Sequence, residues 1–350
     1  MLRSTPDVLT AESLRFTPPQ LPIRQLREFL DKCWGIRGTL EQLLGERDQN
    51  CRVTANDGRR FVLKVSGVLE DPALVDFQVK ALQHIAATDP DLPVPRLIPS
   101  LAGNVVETLA AAGNDRHAVR LLSYLDGRPL GDFPPPNRTT LKHIGALQGR
   151  LCHALASFSH PAASHFMPWD SLNGLVVSPQ LRATPMPGDL AQRCAPILDR
   201  LEYESLAKMR ALPVQVIHND GHSGNVLCDA ESPERVVGVI DFGDMTERPL
   251  IVELATSLTS MMEETNDALG DAAALVTGFK EFMPLPDAER NLLFDAVLAR
   301  AILVVELLSF RMLNDAELVP VLKGGLDDAT RGLEAALAID PRQFLEAISR

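Results

Sequence analysis

The 350 residues are 45% apolar and 23% charged, a balance that excludes an extended disordered chain and allows a sizeable core. Against 34 basic residues stand 46 acidic ones, and the net charge of -12 excludes a broad nucleic-acid surface, which needs a basic stripe to neutralise phosphates. The five cysteines (Cys33, Cys51, Cys152, Cys194, Cys228) are odd in number, scattered and never in a C-x-x-C arrangement, which argues against a disulfide framework or a zinc knuckle and for a reducing, cytoplasmic setting. No membrane segment is expected: Met1 to Gln20 lacks a long apolar core, and Ala301 to Phe310 is short and interrupted by Glu306.

Residues 1–22, rich in Pro and polar side chains, read as an arm before a first helix over Ile23 to Trp34. Strand texture follows: Cys51 to Ala55, the turn Asn56-Asp57-Gly58, then Arg59 to Val65. Asp-Gly between apolar runs signals a hairpin because both turn positions tolerate positive φ. Asp71-Pro72 is a capping residue followed by a proline suited to the first helical turn, and Leu74, Phe77, Ala81, Leu82 and Ile85 recur at helical spacing. The proline-rich run Asp89 to Pro95 ends that helix. A second hairpin is expected from Asn104 to Leu109 and His117 to Ser123 around Gly113-Asn114-Asp115.

After Asp126-Gly127 the pattern becomes helical, near Thr140 to Ser157, Asp189 to Ala211, Leu250 to Glu264, Ala288 to Leu313 and Asp328 to Ala338, with a β-rich insert at 214–243. The expected organisation is an arm (1–22), a small nucleotide-binding lobe (23–122), a hinge (123–127) and a larger catalytic and substrate-binding lobe (128–350), with the site in the cleft between lobes.

Chemistry concentrates in His218-Asn219-Asp220-Gly221-His222-Ser223-Gly224-Asn225 and Ile240-Asp241-Phe242-Gly243. Phosphoryl transfer needs a carboxylate to orient and deprotonate the attacking hydroxyl, plus oxygen ligands that hold magnesium against the phosphates. Asp220 and Asn225 have the base-to-ligand spacing of a kinase catalytic loop, and Asp241 takes the metal position of D-F-G. A hairpin through Asp229-Ala230-Glu231-Ser232-Pro233 would return Asp241 beside Asn225. His218 and His222 are spaced as zinc ligands on a helix would be, but Gly221 and Gly224 oppose a helix there, and His218 is read as a brace of the loop. On the strand Phe61 to Val65, alternation puts Val62 and Lys64 on the face opposite Phe61, Leu63 and Val65, so Val62 can roof a purine while Lys64 reaches phosphates.

From about Leu43 to Leu258 the chain resembles the aminoglycoside phosphotransferase and choline kinase superfamily, and within it the hydroxylysine and homoserine kinase branch. The resemblance is carried by the HNDGHSGNVL loop and IDFGD, with support from Arg47 to Val53, Val62-Leu63-Lys64, Leu92 to Pro95, Arg120 to Gly127 and Trp169-Asp170. It implies an α+β, bilobal protein kinase-like fold: a small antiparallel sheet with one main helix, and a larger, mostly helical lobe. It also implies a magnesium-dependent kinase using ATP or GTP, with Asp220 as catalytic base, Asn225 and Asp241 as metal ligands and Lys64 on the phosphates. Ser123 and Leu125 would meet adenine through their backbone, and the loop from Glu46 to Asn50 would cover the phosphates.

Two departures from the family pattern stand out. Where the family places a glutamate to pair with the lysine, this chain has Gln78, so either Gln78 positions Lys64 without a countercharge or Asp76 substitutes. Glu253 stands where aspartate is common and is assigned a bracing role. The acceptor is expected to be a small molecule carrying an amine, met by Asp170, Asp244, Glu263 or Glu264, while Arg300 is placed either to pair with a substrate carboxylate or in a structural ion pair. The expected activity is phosphorylation of an amino alcohol or hydroxy amino acid, 5-hydroxylysine first, with aminoglycosides, choline, ethanolamine and homoserine as alternatives. A catalytically silent nucleotide-binding module is the alternative of another class. No nucleic-acid or membrane partner is expected, and the chain would act as a monomer or homodimer.

Overall fold

The computed structural model describes residue 14 and residues 18–349, apart from 112–114 and 264–265. Most of the expected arm, the turn at Gly113-Asn114 and Glu264 lie outside the described residues. The chain divides into two compact units, Arg15–Asp126 and Gly127–Arg350, the second also holding Leu14.

In the first unit the apolar alternation of the strands builds one antiparallel sheet. Strands β1 (Gly38–Leu43), β2 (Gln49–Ala55), β3 (Arg60–Val65), β4 (Glu107–Ala110) and β5 (Arg116–Ser123) take the order β1-β2-β3-β5-β4. The Asp-Gly turn joins β2 to β3 as expected, with Gly58 at φ 86° and its N–H donated to the Ala55 carbonyl at 2.9 Å. Helix α1 (Ile23–Trp34) buries Leu26, Leu30 and Trp34, one turn apart, against Val53, Phe61 and Leu63 of the sheet. Helix α2 (Pro72–Thr88) starts where the Asp71 carboxylate caps the Ala73 N–H at 2.9 Å. It buries Gln78 among Val75, Phe77, Val79, Ala81, Leu82 and Ile85.

The second unit is helical around two small antiparallel sheets, one of two strands and one of three. In chain order it contains β6 (Arg128–Pro129), α3 (Arg138–Leu155), α4 (Ser171–Leu181), α5 (Leu190–Arg200), α6 (Leu206–Arg210), β7 (Gln215–Ile217), β8 (Val226–Cys228), β9 (Val236–Val239) and β10 (Thr246–Arg248). Helices α7 (Leu250–Met261), α8 (Ala268–Lys280), α9 (Asp287–Arg290), α10 (Leu293–Asn314), α11 (Val319–Leu337) and α12 (Pro341–Ser349) complete it. The stretch expected as one helix over 189–211 is broken by a wider turn at Leu201–Ser205. Helices α4, α8 and α12 fall outside the stretches expected to be helical; α4 contains Gly174 and Pro179, and α8 contains Gly270 and Gly278. In α8 the glycine serves packing: a methyl group on Gly278 would overlap the Lys142 carbonyl of α3, and one on Gly145 would overlap the Leu275 carbonyl of α8, so the two helices cross backbone to backbone.

Helix α10 is the axle of this unit, packed against α4, α7 and α11 and buried along most of its length. Leu14 joins Val177, Leu181, Leu303 and Leu307 in a cluster between α4 and α10. No described helix is long and apolar enough to cross a membrane.

Three ionisable side chains of α10, Arg300, Glu306 and Arg311, are nonetheless buried. Burial pushes the Glu306 carboxyl up to about 7, while a hydrogen bond from the Ser178 hydroxyl at 3.1 Å and the charge of Arg182 pull the other way. A carboxyl whose folded value lies above its unfolded one favours the folded state below the unfolded value, and that contribution is lost as pH rises through about 7. Glu306→Gln, which imitates the protonated form, should therefore raise the melting temperature by a few degrees at about pH 8 and change it little at about pH 5. Thermal melts at both pH values test this, and an equal gain at both would remove ionisation as the cause.

Candidate functional site

The loop from His218 to Asn225 joins β7 to β8, and β8 pairs antiparallel with β9 through Val226 opposite Val239. One further bond, from the Ile240 N–H to the Asn225 carbonyl at 2.9 Å, extends that pairing to the residue before Asp241. The hairpin between them turns at Asp229, whose carboxylate accepts the N–H groups of Glu231 and Ser232 at 2.9 and 3.0 Å. Sequence distance becomes proximity, with Asn225 and Asp241 at the open ends of paired strands.

Within the loop, Asn225 donates its amide Nδ2–H to the Asp220 carboxylate at 2.7 Å and to the Asp220 carbonyl at 3.0 Å. Fixing the amide nitrogen in this way fixes the direction of its carbonyl oxygen. The Asp220 side chain remains 18% exposed, with the His222 imidazole 3.5 Å from its other oxygen. His218 braces the loop as expected: its Nε2–H donates to the Ile240 carbonyl at 3.1 Å, its Nδ1 accepts the Asp220 N–H at 3.3 Å, and its ring stands edge-on to Phe242 at 4.8 Å.

Among the described residues two non-glycine positions have left-handed backbone, Asn219 at φ 63° and Asp241 at φ 62°. Such backbone persists only where the surroundings over-determine it. The Asn219 N–H donates to the fully buried Glu253 carboxylate at 2.6 Å, and its amide donates to the Asp244 carbonyl at 3.2 Å. The Asp241 carboxylate accepts the Gly243 N–H at 3.1 Å.

Glu253 is one member of a polar stripe on the otherwise apolar α7, a stripe that sequence reading missed beyond Glu253 itself. The Ser257 hydroxyl donates to the Gly221 carbonyl at 2.7 Å, Ser260 Oγ accepts the Ser223 N–H at 3.1 Å, and Thr256 reaches the Asn219 carbonyl at 3.5 Å. Gln148 of α3 adds a bond to the Gly221 carbonyl at 3.2 Å. Residues 253, 256, 257 and 260 share one helical face, so the signal was present as three- and four-residue spacing of hydrogen-bonding side chains in an apolar run. Burial pushes the Glu253 carboxyl above its ordinary value, opposed by neighbouring His218 and by the N–H of Asn219.

In the first unit Lys64 and Val62 lie half-buried on one face of β3, with Phe61, Leu63 and Val65 buried on the other, as alternation predicts. The countercharge of Lys64 is not where sequence reading placed it. Gln78 accepts from Arg120 Nη1 at 2.6 Å, Asp76 pairs with Lys80 at 2.7 Å on the exposed side of α2, and Lys64 Nζ pairs with Asp48 at 3.0 Å. The correction has a physical reason. Arg120 opposes Lys64 across β3 and β5 and buries a second cation there, so the amide of Gln78 accepts from arginine while the Asp48 carboxylate, 3.9 Å from Arg120 as well, serves both cations. Glu70 lies in the same field, its carboxyl raised by burial and then by Asp48.

The remaining candidates are placed as follows. Asn50 opposes Lys64 on β2 and donates to the Leu44 carbonyl at 3.5 Å. Ser123 ends β5 with its N–H donated to the Arg96 carbonyl and its hydroxyl accepting the Arg96 N–H, both at 2.8 Å, so its amide is committed away from a nucleotide; Leu125 follows it, half-buried. Asp170 is fully buried, caps the Leu172 N–H at 3.0 Å and pairs with Arg248 at 2.5 Å, which corrects its expected role in binding a substrate amine. Asp244 is buried beside Asn219, and Glu263 lies at the end of α7 against Gly332 of α11. Asn225 and Asp241 present hard oxygen donors, an amide and a carboxylate, which fit a magnesium ion that completes its shell with water and phosphate oxygens. Among the described residues no cluster of three or more His, Cys, Asp or Glu side chains is placed to hold an ion unaided.

The profile of the phosphotransferase enzyme family matches residues 39–288. The chain belongs to that family. Hydroxylysine kinase of Danio rerio is 25% identical to this phosphotransferase over 299 residues, covering 82% of this chain and 83% of the fish protein. Hydroxylysine kinase of Mus musculus is 28% identical over 298 residues, covering 79% and 78%. Among solved structures, an amicoumacin kinase complex with AMP-PNP and Ca2+ superposes at a TM-score of 0.69 with 15% identity, covering 92% of this chain and 97% of that one. A microcompartment-associated aminopropanol kinase superposes at 0.68 with 19% identity, covering 93% and 99%. The fold is thus the α+β, kinase-like one expected, and the chain is a small-molecule phosphotransferase acting on a hydroxyl.

Because the Glu253 carboxylate is what satisfies the buried Asn219 N–H, Glu253→Ala should cost this phosphotransferase about 2–4 kcal/mol of unfolding free energy by denaturant titration, through an orphaned donor and a cavity. Glu253→Gln, which keeps an acceptor, should recover more than half of that loss; equal losses in both variants would show that the hydrogen bond contributes nothing.

Proposed function

We propose that this phosphotransferase moves the terminal phosphoryl group of ATP onto the side-chain hydroxyl of a hydroxy amino acid, with 5-hydroxylysine as the acceptor. The observation that carries the chemistry is the Asp220–Asn225 hydrogen bond of 2.7 Å beside a strand pair that ends at Asp241. It offers a carboxylate and two oxygen ligands arranged by one loop and one hairpin. The acceptor is supported by relatives named hydroxylysine kinase in four vertebrates, each matched over roughly four-fifths of both chains.

In this reading Asp220 accepts the proton of the acceptor hydroxyl as its oxygen bonds to the γ-phosphorus, and the bond from that phosphorus to the bridging oxygen breaks to leave ADP. Asn225 and Asp241 would hold magnesium, which would neutralise charge on the phosphate oxygens. Lys64 leaves Asp48 to meet the phosphates, an exchange of one anionic partner for another. His218 and Glu253 act on Asp220 by fixing its backbone.

The test is ADP release with magnesium and ATP over a panel of 5-hydroxylysine, homoserine, ethanolamine, choline and an aminoglycoside. The expected result is turnover with 5-hydroxylysine well above the others, reduced at least about a thousandfold in Asp220→Asn with nucleotide binding retained. ATP binding without turnover on any acceptor would favour the silent module, and undiminished turnover in Asp220→Asn would remove Asp220 as the base.

A further inference from the structure

Arg300 occupies the middle of α10 and is 6% exposed. Its Nη1 donates to the Trp169 carbonyl, and among the described residues it has no other hydrogen-bond partner and no carboxylate in ion-pair contact. A guanidinium carries five N–H donors, so most of this one's capacity is unused. Arg120 and Arg248 each have several partners. Arg120 has Gln78, Ser66 and Asp48; Arg248 has Asp170, Asn173 and the Glu247 carbonyl.

The unused donors are not sealed in the core. Nitrogens of Arg96, Arg120, Arg290 and Arg311 are enclosed without a hydrogen-bond partner, whereas none of Arg300's is, so those of its nitrogens that lack a partner border space that water reaches. Three carboxylates lie within electrostatic reach of the guanidinium, Asp220, Asp170 and Glu253 in that order. Each has a partner of its own: Asp220 accepts from Asn225, Asp170 from Arg248 and the Leu172 N–H, and Glu253 from the Asn219 N–H. Holding a cation out of water without a contacting anion costs several kcal/mol, a cost that an incoming carboxylate would relieve.

We propose that Arg300 binds the carboxylate of the acceptor substrate, so that the enzyme selects hydroxy amino acids over amino alcohols of the same length. The inference rests on the kinase reading for its acceptor and adds to it the group that is recognised. It places an anion site in the same unit as Asp220, within reach of its charge, and explains why α10 buries at position 300 a cation that no side-chain carboxylate contacts. Arginine suits the task because its planar fork meets both oxygens of a carboxylate.

The experiment compares 5-hydroxylysine with 1,5-diaminopentan-2-ol, its decarboxylated counterpart, in the wild type, Arg300→Gln and Arg300→Lys, with turnover and calorimetric binding measured on each. For 5-hydroxylysine, Arg300→Gln should raise KM and Kd about 10- to 100-fold with kcat within about threefold, and Arg300→Lys should fall between. The wild type should hold the diamine about as weakly as Arg300→Gln holds 5-hydroxylysine, and neither substitution should move the diamine's constants.

A merely structural arginine predicts something else, equal losses on both acceptors with a lowered melting temperature, and that result overturns the proposal. So does a wild type that treats the two compounds alike, or that binds neither. If no acceptor turns over but 5-hydroxylysine binds more tightly than the diamine and loses that advantage in Arg300→Gln, the carboxylate site stands and the kinase reading falls. Should Arg300→Gln fail to fold, Arg300→Lys carries the same comparison.

Discussion

A carboxylate with no access to water holds the reactive loop in shape. Glu253 accepts the Asn219 N–H at 2.6 Å, and Asn219 is the residue whose left-handed backbone turns the chain so that Asp220 follows with its side chain partly exposed. Burying an ionisable carboxyl is unfavourable, and burial does push this one above its ordinary value. The cost is tolerated because a strained turn needs a strong acceptor beneath it, and a carboxylate gives a stronger hydrogen bond than a neutral group of the same size. Ser257, Ser260 and Gln148 repeat the device along the loop, the first and last sharing the Gly221 carbonyl and Ser260 taking the Ser223 N–H. The loop is therefore a surface copied from α7 and α3 rather than a self-supporting turn.

The small unit solves a different electrostatic problem. Two cations, Lys64 and Arg120, stand opposite each other on β3 and β5, and Gln78, the helix position that could face them, is neutral. Asp48, from the connection between β1 and β2, supplies the charge instead, at 3.0 Å from Lys64 and 3.9 Å from Arg120. A countercharge on a connection between strands can move more easily than one on a packed helix.

Much of this was legible in the chain itself. The Asp-Gly hairpin, the Asp71 cap, the alternation around Lys64 and the spacing from Asp220 to Asn225 are local rules, and each holds in the structure. What escaped were decisions made by tertiary neighbours. Helix α8 went unread, and nothing local to Gly278 or Gly145 says that α3 and α8 cross where their side chains are missing. Asp170 read as a ligand for a substrate amine until Arg248 and the start of α4 claimed it. The partner of Lys64 escaped for the same reason, since nothing local to Gln78 says that Arg120, far along the chain, will use its amide.

These cases separate two kinds of buried charge. Asp170, Glu253, Arg120 and Arg248 are each held by a group of complementary charge or by a hydrogen-bond partner that needs them, although Glu253 Oε1 and Arg120 Nε are enclosed without one. Arg300 has one backbone carbonyl. Native interiors seldom leave such capacity unused, because an unsatisfied charge in a low dielectric costs more than any apolar replacement of the same volume would. A methionine or leucine at position 300 would pack among Val297, Leu303 and Val304 without that cost. The retention of a guanidinium there is best explained by a partner that is present only while the enzyme is at work.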